Sequence, residues 1–238
     1  MNNLDGILLK DIRWSVTTAG PSPYDNNRTE LFLLGCQKAM SGNPCKKCFN
    51  SCTWDNSIAE FSHDPIIMAK IINKYAPNKY ITIGGGEPTD QLKNLIILCR
   101  ELKKYDFNIF VYTWRSIDKI LNNDFQNIVP LKSAENFFAD FKILLKYIDV
   151  IIDGEYVDNL RIYNENSNDG LTSSIGSSNQ NICIIKNNIL YKKYNMKNIK
   201  RIYYINNELK IEEYDRWWLY WNINIILFIQ KIIKIVWI

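Results

Sequence analysis

Four thiols crowd one stretch of this 238-residue chain, "LGCQKAMSGNPCKKCFNSCTWD": Cys36, Cys45, Cys48 and Cys52. Thiols so close together form disulfides or bind a metal or an iron–sulfur cluster. The amino terminus, "MNNLDGILLKDIRW", is too polar for a signal peptide, so the expected compartment is a reducing cytoplasm, which disfavours disulfides. Zinc asks for four ligands, usually as two pairs. Cys45-x2-Cys48 is one such pair, and Cys36 and Cys52 would complete a closed site. The single histidine, His63 in "FSHDP", reads as a surface residue, and the distant Cys99 and Cys183 read as small buried hydrophobes. The cysteines alone do not separate zinc from iron–sulfur.

The surrounding elements must position these thiols. "RTELFLLGC" (28–36) reads as a buried strand that ends where the cysteine loop begins. "DPIIMAKIINKYA" and "QLKNLIILCRELKKY" carry apolar residues at helical spacing, and between them lies "KYITIGGGEPTDQ", a β-branched run followed by three glycines. "FNIFVYTW" (107–114) reads as a strand, "SAENFFADFKILLKY" as a helix, and "YIDVIIDGEYV" as a strand buried on both sides. Strands alternating with helices predict an α/β fold around a parallel sheet, with function at the carboxyl ends of the strands. The cysteine loop and the Gly84–Glu87 turn both fall at such ends, so they are expected to face one cleft.

Composition narrows the function classes. The net charge of +4 comes from scattered lysines without a basic block, which argues against a nucleic-acid partner. Neither a G-x-G-x-x-G nor a Walker sequence is present, so a phosphate-cradling loop has little support.

A strand ending in Gly35-Cys36, a triplet closed by Cys48-Phe49-Asn50, and a strand running into Gly85-Gly86-Glu87-Pro88 together resemble the radical S-adenosylmethionine (SAM) enzymes. "CFNSCTWD" (48–55), "YTW" (112–114), Asp153-Gly154, "GSSNQ" (176–180) and "AGP…RTELFLLGC" (19–36) narrow the resemblance to the activating proteins of anaerobic ribonucleotide reductase. The resemblance covers roughly residues 15 to 183 and implies a partial, open β/α barrel with mostly parallel strands. It implies a 4Fe–4S cluster on Cys36, Cys45 and Cys48, with one iron left free of protein ligands to take the amino and carboxylate groups of SAM. It also implies a SAM site drawn from Phe49, Asn50, Gly84, Gly85, Gly86, Glu87, Thr113, Trp114, Asp153, Ser177 and Asn179. In that site, glycine peptide groups face the SAM ammonium and Glu87 buttresses the turn. The implied activity is oxidoreductase chemistry: reductive cleavage of SAM, then hydrogen-atom abstraction from a glycine near the carboxyl end of the reductase large subunit. Flavodoxin or ferredoxin is the implied electron donor.

One departure is local. Eight residues separate Cys36 from Cys45, where the family has three, and Ser41, Gly42, Asn43 and Pro44 in that insertion are turn-formers. Loop-closure entropy grows logarithmically, so the extra length costs on the order of 1 kcal/mol. The set Cys45, Cys48 and Cys52 avoids the long loop and stands as the alternative ligand set. A radical SAM enzyme with another peptide or small-molecule substrate, and a non-catalytic zinc or scaffold module, are the competing functions.

The division expected from the resemblance is a core over residues 1–183 and an extension of uncertain structure over 184–238. The final run, Ile223 to Ile238, is interrupted by Asn224, Gln230, Lys231 and Lys234 and is shorter than a membrane-spanning helix requires. It fits a helix packed on the domain, a partner or membrane-surface contact, or an unconstrained tail.

Overall fold

The computed structural model describes residues 6–60, 62–124, 134–162 and 176–214. The Ile223–Ile238 run lies outside them. Among the described residues no helix is long and apolar enough to cross a membrane.

A seven-stranded sheet in chain order, β1 to β7, organises the chain. Its strands are β1 (Leu9–Val16), β2 (Arg28–Leu33), β3 (Tyr80–Gly85), β4 (Asn108–Thr113), β5 (Val150–Asp153), β6 (Asn181–Lys186) and β7 (Ile189–Asn195). The four central strands, β2 to β5, are parallel. β1 joins one side antiparallel to β2, and β6 and β7 extend the other side as antiparallel neighbours. The α/β fold with a parallel centre is therefore present, and the sheet is open, with β1 and β7 as its edges.

Helices cross back between the parallel strands. They are α1 (Gln37–Met40), α2 (Pro65–Tyr75), α3 (Leu92–Lys103), α4 (Ile117–Leu121) and α5 (Ala134–Leu144). The start of α2 is fixed by Asp64, whose Oδ1 accepts from the amides of Ile66 and Ile67, with Pro65 at the first helical position.

Strand periodicity sorts the side chains onto two faces. Leu31, Leu33, Ile81, Ile83, Ile109, Val111 and Ile151 turn toward the helices and join Met68, Ile72, Leu95, Leu98, Leu102 and Phe141 in the larger core; Cys99 and Cys183 are buried there too. The alternate residues, Phe110, Val150, Ile152 and Ile182, form a second cluster with Met196, Ile199 and Ile202. The last two belong to a hairpin of β8 (Ile199–Ile205) and β9 (Glu208–Glu213), which lies outside the large sheet and covers this second face.

Sheet and hairpin thus run past residue 183, with β6 crossing that position. Arg28, 0% exposed, ties the parts together. Its guanidinium donates to Thr82 Oγ1, the carbonyls of Pro21 and Ile81, and Asn108, and lies 3.9 Å from the Phe110 ring centre. Tyr204 of β8 donates to the same Asn108 Oδ1.

Candidate active site

Gly35 joins the two segments that the sequence set at one cleft. Its amide donates to the Thr53 carbonyl at the end of the cysteine loop, and its own carbonyl accepts from the Glu87 amide, each at 2.8 Å. The Cys36 amide donates to Trp54 O and the Gly86 amide to Leu33 O. The packing is tight enough to dictate glycine. A Cβ on Gly86 would sit 2.1 Å from Gly35 O, and one on Gly85, whose φ is +100°, would sit 2.5 Å from Leu33 N. Gly84 differs: a Cβ there meets nothing within 4 Å. Its bare backbone faces a cavity.

That cavity, about 680 Å³, is lined by Cys36, Cys45, Cys48, Phe49, Asn50, Gly84, Gly85, Gly86, Glu87, Thr113 and Trp114. The sequence thus placed these residues around one space. Cys52 lines it as well. Asp153, Ser177 and Asn179 do not: they brace the segment after β5 that lines it. Asp153 accepts from the Ile117 amide and from Asn181 Nδ2, Ser177 Oγ accepts from the Val157 amide, and Asn179 Nδ2 donates to Glu155 O. Their neighbours Gly154, Tyr156 and Gln180 do the lining.

Glu87 is 1% exposed and heads a buried polar network. Its Oε1 accepts from the Thr89 amide, Thr89 Oγ1 and Thr113 Oγ1, and its Oε2 accepts from the Trp114 amide. Arg115 reaches Thr89 Oγ1 and, at 2.7 Å, Asp90 Oδ1, while Asp90 Oδ2 accepts from the Gln37 amide at the start of α1. Burial pushes the Asp90 carboxyl up to about 6 against the pull of Arg115. The network locks the β3 and β4 ends to the base of the cysteine loop.

The enlarged loop is anchored from within. Lys38, 5% exposed, donates to Asn43 O at 2.8 Å and pairs with Glu155 at 3.2 Å. Lys47 pairs with Asp158 at 2.8 Å, and the Phe49 ring packs on Tyr156 with centroids 4.7 Å apart. Arg161 covers the same Phe49 ring. Four contacts therefore bind residues 38–49 to the segment after β5.

The donor set fits a thiophilic metal centre. Burial raises the Cys36 thiol to about 12 and the Cys45 thiol to about 11, so both hold their protons at neutral pH until a metal displaces them. Among the described residues no three His, Cys, Asp or Glu side chains already converge as a metal cage. The thiols share one wall, on a loop whose Ser41–Asn43 turn is exposed. Thiolates in this number suit iron–sulfur and zinc alike.

Sequence reasoning passed over another wall, where Lys10, Asp11, Arg13, Thr18, Glu30, Phe32 and Tyr112 line the same space. The signal was available: Arg28, Glu30 and Phe32 alternate with Thr29, Leu31 and Leu33, so one face of β2 is apolar and the other mixed.

Comparison with known proteins supplies the class. A family model described as "4Fe-4S single cluster domain" matches residues 26–183, which hold all three candidate ligands and the glycine turn. The chain belongs to this iron–sulfur family. Among curated proteins, the anaerobic ribonucleoside-triphosphate reductase-activating protein of Haemophilus influenzae is 28% identical over 141 residues, 56% of this chain and 76% of that protein. Both matches support the resemblance carried by the motifs, to activating proteins of radical SAM type.

Proposed function

We propose that this protein is a radical SAM activating enzyme, built on a half-open barrel, that generates a glycyl radical on an anaerobic ribonucleotide reductase. One observation carries the reading: Cys36, Cys45 and Cys48 line the same cavity as the bare Gly84 backbone and the Glu87-braced turn. Cys36, Cys45 and Cys48 would hold a 4Fe–4S cluster. When bound, such a cluster supplies the electron that splits the sulfonium C–S bond of SAM into methionine and a 5′-deoxyadenosyl radical.

The chain's own residues do the rest. Gly84 leaves open space against the strand for SAM, and the peptide groups of Gly84–Gly86 would hold its amino group. Glu87 accepts four hydrogen bonds at the turn and the β4 end, which keeps those peptide groups fixed. Phe49, which lines the cavity, packs on Tyr156 and lies beside Arg161, would give apolar contact to the adenine. Thr113 and Trp114 close the side of the pocket, and Asp153, Ser177 and Asn179 act by bracing the segment after β5. Hydrogen-atom abstraction needs no general base. The relative's name supports an anaerobic reductase as the protein substrate. A cytoplasmic flavodoxin or ferredoxin would deliver the electron.

Anaerobic reconstitution tests this. The expected product is a brown protein with four irons and four sulfides, which are the composition of a 4Fe–4S cluster. It should cleave SAM to 5′-deoxyadenosine and raise a glycyl-radical signal in the reductase by electron paramagnetic resonance. Cys45→Ala should abolish cluster and cleavage. A colourless protein with stoichiometric zinc would overturn the proposal; SAM cleavage without the glycyl signal would leave the cofactors and replace the substrate.

A further inference from the structure

The β1–β2 wall of the cavity has its own chemistry. Glu30 stands on the cavity face of β2, opposite Thr82 in register, as Phe32 stands opposite Gly84. Its half-buried carboxylate takes part in no hydrogen bond among the described residues. A carboxylate normally loses free energy when it gives up water without gaining donors. Here burial outweighs the pull of Arg13 and pushes Glu30 up to about 7. Around it on the exposed edge strand β1 and the turn beyond stand Lys10, Asp11, Arg13 and Thr18. Arg13 lies 4.5 Å from the Phe32 ring centre.

The surroundings narrow the ligand. The β8–β9 hairpin covers the same face of the sheet at β4 to β6, which leaves the β1 side of the cavity open. A phosphate would need donors alone, and Glu30 and Asp11 oppose it. An extended peptide presents N–H donors and carbonyl acceptors in alternation, and this wall presents the acceptor Glu30 beside Lys10, Thr18 and Arg13, whose Nε donates to Asp11 at 3.3 Å and whose other guanidinium N–H groups are left to donate.

We infer that the β1–β2 wall is where the substrate's polypeptide is held, with Glu30 accepting a main-chain N–H and Arg13 or Thr18 donating to a carbonyl. This deepens the activating-enzyme reading and rests on it. The bound segment brings its reacting Cα from this wall into the cavity that the thiols also line. Glu30 is a specificity-determining residue here: it touches substrate and leaves SAM alone.

The test uses reconstituted full-length protein and a synthetic peptide of the glycine-bearing carboxyl-terminal segment of the cognate reductase. Dissociation constants for peptide and for SAM are measured for wild type, Glu30→Ala, Glu30→Gln and Arg13→Ala. Losing the hydrogen bond to Glu30 predicts a loss of peptide affinity of about fivefold or more in Glu30→Ala, with SAM affinity unchanged. Glu30→Gln, which keeps one acceptor oxygen, should recover part of the loss. Arg13→Ala, at an exposed position with no role in the core, should weaken peptide binding in the same sense. Loss of SAM affinity in Glu30→Ala, or peptide affinity indifferent to Glu30 and Arg13, overturns the inference while SAM cleavage by wild type leaves the activating-enzyme reading standing. A wild type that cleaves SAM but ignores the peptide does the same. A wild type that neither binds nor cleaves SAM overturns both.

Discussion

The three consecutive glycines do different work. Gly86 and Gly85 are required by the fold, since a Cβ on either meets backbone atoms at 2.1 and 2.5 Å. Gly84 is required by nothing inside the protein. Gly86→Ala is therefore expected to destabilise the protein by about 1–3 kcal/mol or more, seen as a lower melting temperature. Gly84→Ala should leave the melting temperature intact and weaken SAM binding, which calorimetric titration would show. Equal thermal losses in the two variants would mean that Gly84 serves packing. Glu30 gives a second residue-scale expectation. Its pKa rises from 4.5 to about 7 on folding, so the folded state holds the proton over that interval while the unfolded chain has released it. Its contribution is fully present below pH 4.5 and is lost as the pH climbs to 7. Denaturant unfolding of Glu30→Gln should show a flatter decline across that window than wild type does.

Among the elements, the cysteine loop shows how a longer connection is made definite. A flexible eight-residue spacer would place Cys45 poorly, yet buried Lys38 closes the loop on Asn43 and clamps it to Glu155. Lys38→Met removes both the donor to Asn43 O and the tie to Glu155. Lys38→Met is expected to lower iron bound after reconstitution by several-fold while circular dichroism of the apo protein stays unchanged. Normal iron content would show that the clamp is dispensable. The main elements were legible because their signals are local: apolar or β-branched runs for β2 to β5, and helical spacing for α2, α3 and α5. β1 was not, since an edge strand with Lys10, Asp11, Arg13 and Ser15 exposed has too little apolar content to stand out. The two late hairpins carried a usable mark, their Asn-Asn turns. Asn187, Asn188, Asn206 and Asn207 all adopt positive φ of 50–67°, the backbone that tight hairpins demand. The thiols and the glycine turn were readable as motifs. The Glu30 wall went unread although its mixed face on β2 was local, because without β1 as its neighbour nothing marked that face as the side of a cavity.

On the scale of the molecule, the β8–β9 hairpin is part of the core. Met196, Ile199 and Ile202 are 1–3% exposed against Phe110, Val150 and Ile152. Ile202→Ala is expected to cost about 2–5 kcal/mol, measured by urea denaturation. A chain ending at residue 195 should expose the apolar face of β4 to β6 and bind a hydrophobic dye. An unchanged midpoint would mean that the hairpin is an accessory.

The peptide groups on either side of Gly35 are gripped by the cysteine loop and by the glycine turn at once. Neither grip loosens alone, so thermal opening of this mouth is a single event. In deuterium exchange, the amide protons of Gly35, Cys36, Gly86 and Glu87 should disappear with one common rate, and metal loading should slow all of them together.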